Sequence, residues 1–552
     1  MEVDHASREP ALELSVRRAL RRQLPERHAL FLAERLCNDK PYPSSFALYA
    51  EALAHYGKHR EAVNLLAKYW KQDMECRYWY ALCCVELNEM SAAYQALSFL
   101  QRELPSEKDR DRTNRSSRTE SGLPSEGRTG SVPWLPEGLY LLGRVLRTSN
   151  TRMDQAAECF RRALELDPFL WCCVEELSSL NKYIEFFAPT LLAPTGKEEK
   201  HATIKKDPSE LERLISNWKA NPPRSSLDAF HSLATIHALI EAYHAREAIA
   251  LVATLPLALQ NAPSVIKWKG RAFLEAGALH ECVRTFEQYL VLNIPGPLDG
   301  LEYYSTALWH MRRDVELNAL ARHALERDRF SATTWCIAGN AFSLQRDPDS
   351  AIEFFLRAAQ IDPRSAYACT LAGHEYLYLD NYEAAMRCYQ DALCRNSRHY
   401  NAWFGIGQIY QRQEKFRLAE KHYQIALDLN PHNSMLWYYL GHVVRVGGAR
   451  DSDALHSLER ALQENARNPV ARFELCKLYM QVGRLHDAWK ELCALRETVP
   501  REAAVYYQMG VVARELGINN TAELFSMALD LDPKQPLYRQ ALLSLEESRA
   551  LS

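Results

Sequence analysis

Four sets of residues recur at one spacing, and their types suit recognition better than turnover. The first is Asp299, Glu302, Thr306 and Trp309, and the second is Thr333, Cys336, Asn340 and Ser343. Then come Tyr367, Thr370, His374 and Leu377, and after them Asn401, Phe404, Gln408 and Gln411, with Arg412 next in line. Within each set the steps are three, four and three residues, so on a helix that turns 100° per residue they fall on one stripe. Carboxylates, amides, hydroxyls, an imidazole and rings displayed together suit an extended peptide laid across the stripes. Turnover chemistry lacks its usual residues. His374 precedes Glu375, but Tyr378 stands where a zinc helix would carry its second histidine. Gly405 and Gly407 have the spacing of a dinucleotide loop, yet they fall inside a helical pattern, where packing accounts for them. No phosphate loop, nucleophile elbow or paired-cysteine zinc array occurs, so neither an enzyme nor a metal or cofactor is expected.

The elements that must carry these stripes follow from a 34-residue beat. Gly339, Gly373, Gly407 and Gly441 are each 34 residues apart, preceded at four residues by Trp335, Cys369, Trp403 and Trp437 and followed at three by Phe342, Tyr376, Tyr410 and Val444. Positions 4, 7, 8 and 11 of each unit thus form the apolar stripe of an amphipathic helix A. Ala351, Ala385 and Ala419 stand four residues before Phe355, Tyr389 and Tyr423, and Ala358, Ala392 and Ala426 three after them, which makes a helix B. Small residues at 8, 20 and 27 leave room for the aromatics at 4, 11 and 24 where the helices approach. Pro363 and Pro431 close two units, since proline cannot continue a helix interior. The pattern resembles the tetratricopeptide repeat, helix, turn, helix. One hairpin cannot bury its faces alone, so an all-α solenoid is expected, with the peptide stripe about 130° from the core stripe and facing the concave side.

Composition narrows the class. The chain has 552 residues, 47% hydrophobic and 25% charged, with a net charge of −3, so nothing global recruits nucleic acid or an anionic membrane. The fourteen cysteines are scattered or adjacent, as at Cys83 and Cys84 or Cys172 and Cys173, and read as reduced core thiols. The first residues include no apolar leader, and no apolar run reaches the roughly 18 residues of a membrane span, so nucleus and cytoplasm are the expected compartments.

Along the chain, repeat-like units occupy 1–102, with Arg17, Arg18, Arg21 and Arg22 read as a solvated face. Residues 103–133 lose periodicity and are expected to be a disordered insertion. The amino-terminal array resumes over 134–186, 187–224 reads as a linker, and 225–545 carries an unbroken array before a short tail at 546–552. Units begin near Ala229, Pro263, Leu298, Ala332, Ala366, Tyr400, Ser434, Pro469 and Ala503. The unit at Ser434 has one extra residue around Gly447 and Gly448, and the last unit is one short.

Several runs are more specific than repeat consensus: Gly300 to His310, Thr333 to Asp347, Thr370 to Tyr376 and especially Arg398 to Tyr423. In these the chain resembles subunit three of the anaphase-promoting complex, the cell division cycle protein twenty-seven family. Phe31 to Leu36 and Leu166 to Trp171 resemble its amino-terminal array. The resemblance implies a non-catalytic subunit of a cell-cycle ubiquitin ligase. Its amino-terminal repeats would homodimerise. Its carboxy-terminal superhelix would hold the Ile-Arg tail of coactivators and of a core substrate-recognition subunit. On that reading Glu302 and Asp299 would face the arginine, and Asn340, His374, Asn401 and Arg412 the terminal carboxylate. Tyr367, Leu377 or Phe404 would wall the isoleucine, while Thr306, Ser343 and Gln408 complete the face. The family's Ser/Thr-rich phosphorylated insertion has no counterpart, since no Ser-Pro or Thr-Pro pair occurs. A co-chaperone adaptor that clamps an acidic tail is the alternative, which the acidic pair at 299 and 302 disfavours. A helical-repeat RNA binder would need a basic stripe.

Overall fold

The computed structural model describes residues 9–21, 26–39, 42–102, 135–148, 152–184, 226–292, 297–448, 450–518 and 520–551. Among them every regular element is a helix. The stretches read as an insertion (103–133) and a linker (187–224) lie outside the described residues, and the expected tail is largely the end of the helix Pro536–Leu551. The chain divides into two compact units, Met1–Glu241 and Ala242–Ser552.

The second unit follows the 34-residue beat. Helices A run Ala332–Leu344, Ala366–Tyr378, Tyr400–Arg412 and Ser434–Val446, and helices B run Pro348–Ile361, Tyr382–Arg395, Phe416–Leu429 and Asp451–Glu464. Phe355, Tyr389 and Tyr423 from helices B are buried to within 1% of complete, and Ala351, Ala358, Ala385, Ala392, Ala419 and Ala426 around them are wholly buried. Each ring lies against the glycine of its own helix A. A Cβ on Gly339 would come within 2.5 Å of the Phe355 ring, and one on Gly373 within 2.6 Å of Tyr389. Burying one such ring stabilises the fold by about 2–3 kcal/mol. Gly405 faces Tyr389 of the preceding unit in the same way, so Gly405 and Gly407 are packing residues. Tryptophans at position 4 lock the entry to three of these helices A. Trp335, Trp403 and Trp437 donate their indole N–H to the carbonyls of Arg329, Ser397 and Pro431, at 2.9, 3.0 and 2.7 Å.

The turn between A and B is built alike throughout. Its middle residue is left-handed at Gly277 (φ 74), Arg312 (53), Arg346 (64), Asp380 (56), Glu414 (58), Gly448 (100) and Gly483 (80). Four of these carry a side chain in a region that costs L residues roughly 1–2 kcal/mol. One unit departs from the expected phase. Its helix A begins at Leu301, three residues after Leu298, because Gly300 takes φ 88 as its N-cap. Asp299 therefore precedes the helix and does not sit on the helical stripe.

In the first unit Val16, Ala19 and Leu20 of the helix Glu9–Arg21 pack with Ala29, Ala33, Leu48 and Ala52, while Arg17 and Arg18 are exposed. Farther on, Gly143 in Leu135–Thr148 lies against Phe160 of Met153–Leu166, the same glycine and ring pairing. The helix Ser226–Glu241, which the repeat phase puts at the head of the carboxy-terminal array, packs in this unit. Its Ala234 and Ala238 enter one core with Val174 and Leu177, and Phe230 meets Trp171 edge-on at 5.5 Å.

Candidate functional site

The second unit coils back on itself, and this encloses the stripe. Tyr243 donates to the carbonyl of Arg398, 155 residues on, at 3.2 Å, and its ring meets that of Tyr400 edge-on at 4.8 Å. Tyr400 in turn donates to Glu275 Oε2 at 2.7 Å, and Arg246 Nη1 donates to Glu464 Oε2 at 3.0 Å across 218 residues. Residues on the inner side of helices A are thus crowded by protein while still touching solvent, and their ionisation reflects that.

Glu302 lies in the first turn of Leu301–His310, with its Oε2 buried and without a hydrogen-bond partner. Burial pushes its carboxyl up from 4.5 to about 7, and the Asp299 charge adds to this against hydrogen bonds from the backbone and Thr333. Asp299, outside the helix and exposed, spends its carboxylate on Lys267 Nζ at 2.6 Å. Beside Glu302 the rings of Tyr303 and Tyr367 stand 5.4 Å apart, and the Arg271 guanidinium lies 5.2 Å over Tyr303. Burial raises the Tyr367 phenol well above its ordinary value and also raises the Cys336 thiol, so both remain neutral.

The next residues are tied to one another. Asn340, 4% exposed, donates from Nδ2 to Ser305 Oγ at 2.8 Å and to Thr306 Oγ1 at 3.1 Å. Thr306 Oγ1 also shares a hydrogen bond with the Tyr367 hydroxyl. Both amide hydrogens of Asn340 are therefore taken, and it positions Thr306 and Tyr367. Ser343 accepts from Trp309 Nε1 at 3.0 Å and donates to Glu375 Oε1 at 2.6 Å. His374 Nδ1 is 2.8 Å from the Tyr389 hydroxyl, whose own ionisation burial drives far up. Burial, with His310 nearby, lowers His374 to about 4. A neutral imidazole that accepts from Tyr389 at Nδ1 keeps an N–H at Nε2.

Beyond this the stripe turns aromatic. Leu377 is buried, and its carbonyl accepts from Arg412 Nη1 at 2.8 Å, while the same nitrogen meets Asp380 at 2.7 Å. Phe404, Tyr423 and Tyr439 form a triangle of rings, with Phe404 5.7 Å from Tyr423 and 4.9 Å from Tyr439, and the two tyrosines 5.8 Å apart. Gln408 lies beside the Tyr439 hydroxyl, and Asn401 beside the Tyr400 hydroxyl. The structure thus brings Thr306, Asn340 and Tyr367 into one network, groups Phe404 with Gln408 through Tyr439, and joins Ser343 to Glu375. It leaves Asp299 and Arg412 engaged by Lys267 and Asp380.

A second charged cluster extends the face. Buried Glu474 is held by His442 Nδ1 at 2.8 Å, by Arg445 Nε at 2.8 Å and by Lys477 Nζ at 3.3 Å. Burial would raise its carboxyl, but His442, Lys477 and Arg445 together hold it down at about 2. Counting on from Ser434 and Pro469 places His442, Arg445 and Lys477 at positions 9, 12 and 9, so the same stripe carried two units farther finds them. Lys267 and Arg271, at positions 5 and 9 counted from Pro263, were legible in the same way.

Residues 24–100 match the model of a family described as "Anaphase-promoting complex, cyclosome, subunit 3". Residues 136–169, 332–365, 370–411, 400–433 and 452–509 match models of the tetratricopeptide repeat. The chain is 37% identical over 295 residues to "Cell division cycle protein 27 homolog B" of Arabidopsis thaliana, covering 53% of this chain and 39% of that protein. It is 34% identical over 298 residues to "Anaphase-promoting complex subunit 3" of Schizosaccharomyces pombe, covering 54% and 44%. The chain thus spans less than half the length of each of these two relatives. The fold is similar to that in "Crystal structure of APC/C hetero-tetramer Cut9-Hcn1", with a TM-score of 0.66 over 99% of this chain and 96% of that one at 18% identity, a likeness of fold alone. By its repeats, its matched amino-terminal segment and these sequence identities, this chain is similar to the anaphase-promoting complex subunit 3 proteins and the cell division cycle protein 27 homologues.

Proposed function

We propose that this chain is a non-catalytic adaptor subunit of the anaphase-promoting complex ubiquitin ligase, and that the inner face of its second unit holds a carboxy-terminal peptide ending in Ile-Arg. The observation that carries the reading is Glu302. Its unpartnered, buried carboxyl oxygen is kept near neutrality by desolvation, and a guanidinium would supply both the hydrogen bonds and the charge that it lacks. The tyrosine pair at 303 and 367 flanks the place where the planar group would stack. The His374 Nε2–H and the Asn401 amide are the donors for the terminal carboxylate, and Phe404 walls the isoleucine. Such a small ligand binds weakly, in the micromolar range or above.

Two tails presented by one assembly would be held far more tightly if the first unit self-associates, with a gain of roughly 10² to 10⁴. Exposed Leu14, Phe31 and Tyr42, at 53, 60 and 61%, support an interface on that unit. The bond-forming chemistry would then occur on other subunits, with nucleus and cytoplasm as the compartments. A peptide panel tests the reading: the full chain should prefer Ile-Arg endings over Glu-Glu-Val-Asp endings. The reverse preference would make it a co-chaperone adaptor.

A further inference from the structure

We infer that His244, Glu247 and His432 form a binding site for one divalent transition-metal ion of the zinc type, which clips the first helix of the second unit to the turn before Ser434–Val446. His244 is the N-cap of Ala245–Val252, and Glu247 is three residues on, so both project from the same side of its first turn. His432 arrives from a turn 188 residues later, and one ligand atom from each of the three lies within 4.8 Å of the others. Two nitrogens and a carboxylate oxygen are the donor set of open zinc sites, which complete their shell with water. Bonds of about 2.0–2.2 Å place the ligand atoms about 3.3 Å apart, so the three side chains would close on the ion as it binds.

Two further observations point to a cation. Glu247 Oε2 is buried without a hydrogen-bond partner, an arrangement that costs stability until something positive meets it. His432 is also already oriented as a metal ligand is. Its Nδ1 lies 3.2 Å from Oε2 of the buried Glu464, which leaves Nε2 to the metal and reproduces the carboxylate, histidine, metal relay. Glu464 is fixed in turn by Arg246 and by Arg460 at 3.2 Å, so both nearby guanidinium charges are engaged. The positive end of the helix at His244 disfavours a bare cation, and the Glu247 carboxylate offsets it. The ring centroids of His244 and His432 stand 6.1 Å apart, on the two sides of the contact that closes the coil.

The test is cobalt titration of the chelator-stripped full chain, followed by zinc competition. One equivalent should bind with the visible absorption of a low-symmetry nitrogen and oxygen site, without the near-ultraviolet band of a sulfur ligand, and zinc should displace it. Glu247→Gln and His432→Gln should each weaken binding at least tenfold and abolish the zinc-induced rise in Tm. Glu464→Gln, which keeps all three ligands, should weaken it by roughly 10- to 100-fold. Absence of stoichiometric binding, a sulfur band, or equal affinity in Glu247→Gln, His432→Gln and the parent chain would each overturn the assignment.

Discussion

Replacing Glu302 with glutamine separates the charge of this residue from its shape. Its raised carboxyl means that the folded chain holds a proton that the unfolded chain has released between the ordinary 4.5 and about 7. The stability it contributes is therefore fully present below pH 4.5 and is lost as pH rises through about 7. At pH 8 the buried carboxylate costs about 1–3 kcal/mol after allowance for its partial access to solvent, so Glu302→Gln should be the more stable protein at pH 8 and no more stable at pH 4.5. Peptide binding should run the other way. An arginine tail needs the carboxylate, and at pH 6 about one site in eleven would carry it, so affinity should fall about tenfold between pH 8 and pH 6. His374, already neutral above about 4, does not contribute over that range. Glutamine forfeits a charged hydrogen bond of about 1.5–3 kcal/mol, a loss of roughly 10- to 150-fold at pH 8, and with it the pH dependence. Calorimetric titration at both pH values reads both quantities. Unchanged affinity in the variant, or a flat pH profile in the parent chain, would refute the role assigned to this carboxyl.

Other outcomes follow from the same structure. Gly373→Ala, which drives a Cβ into the Tyr389 ring, should lower stability by about 1–3 kcal/mol, read as a fall in Tm. Glu414→Gly should raise stability by about 1 kcal/mol and Gly483→Ala lower it by a similar amount, because both positions are left-handed; denaturant unfolding compares them. Glu474→Gln leaves Arg445, Lys477 and His442 without their carboxylate and should cost about 3–5 kcal/mol near neutral pH. Because the Glu474 carboxyl is held at about 2, its contribution should be fully present above pH 4.5 and shrink as pH falls toward 2, which a thermal melt series resolves.

What the sequence made legible is whatever repeats. The glycine, alanine and ring positions recur through the units from Ala332 to Tyr400, where the packing of ring on glycine uses each of them. Helices A and B consequently fall where the 34-residue beat puts them. The phase slips where a backbone choice intervenes: Gly300 delays a helix start and removes Asp299 from its stripe. The left-handed turn falls on glycine at Gly277 and Gly483 but on Arg346, Asp380 and Glu414 in units between them, where the repeat overrides residue preference. Coiling accumulates from small rotations per unit, so no local pattern announces that Glu275 meets Tyr400 or that His244 faces His432. The buried state of Glu302 follows from that coiling, as does the internal use of the Asn340 amide, which had read as a free donor.

The measurement that bears most directly on the account is the affinity of the full chain for a peptide ending in Ile-Arg, beside the same peptide amidated and with its arginine replaced by alanine. The account predicts saturable micromolar binding of the free-acid peptide and loss of at least tenfold in each control. Equal binding of all three peptides, or binding of none, would contradict it.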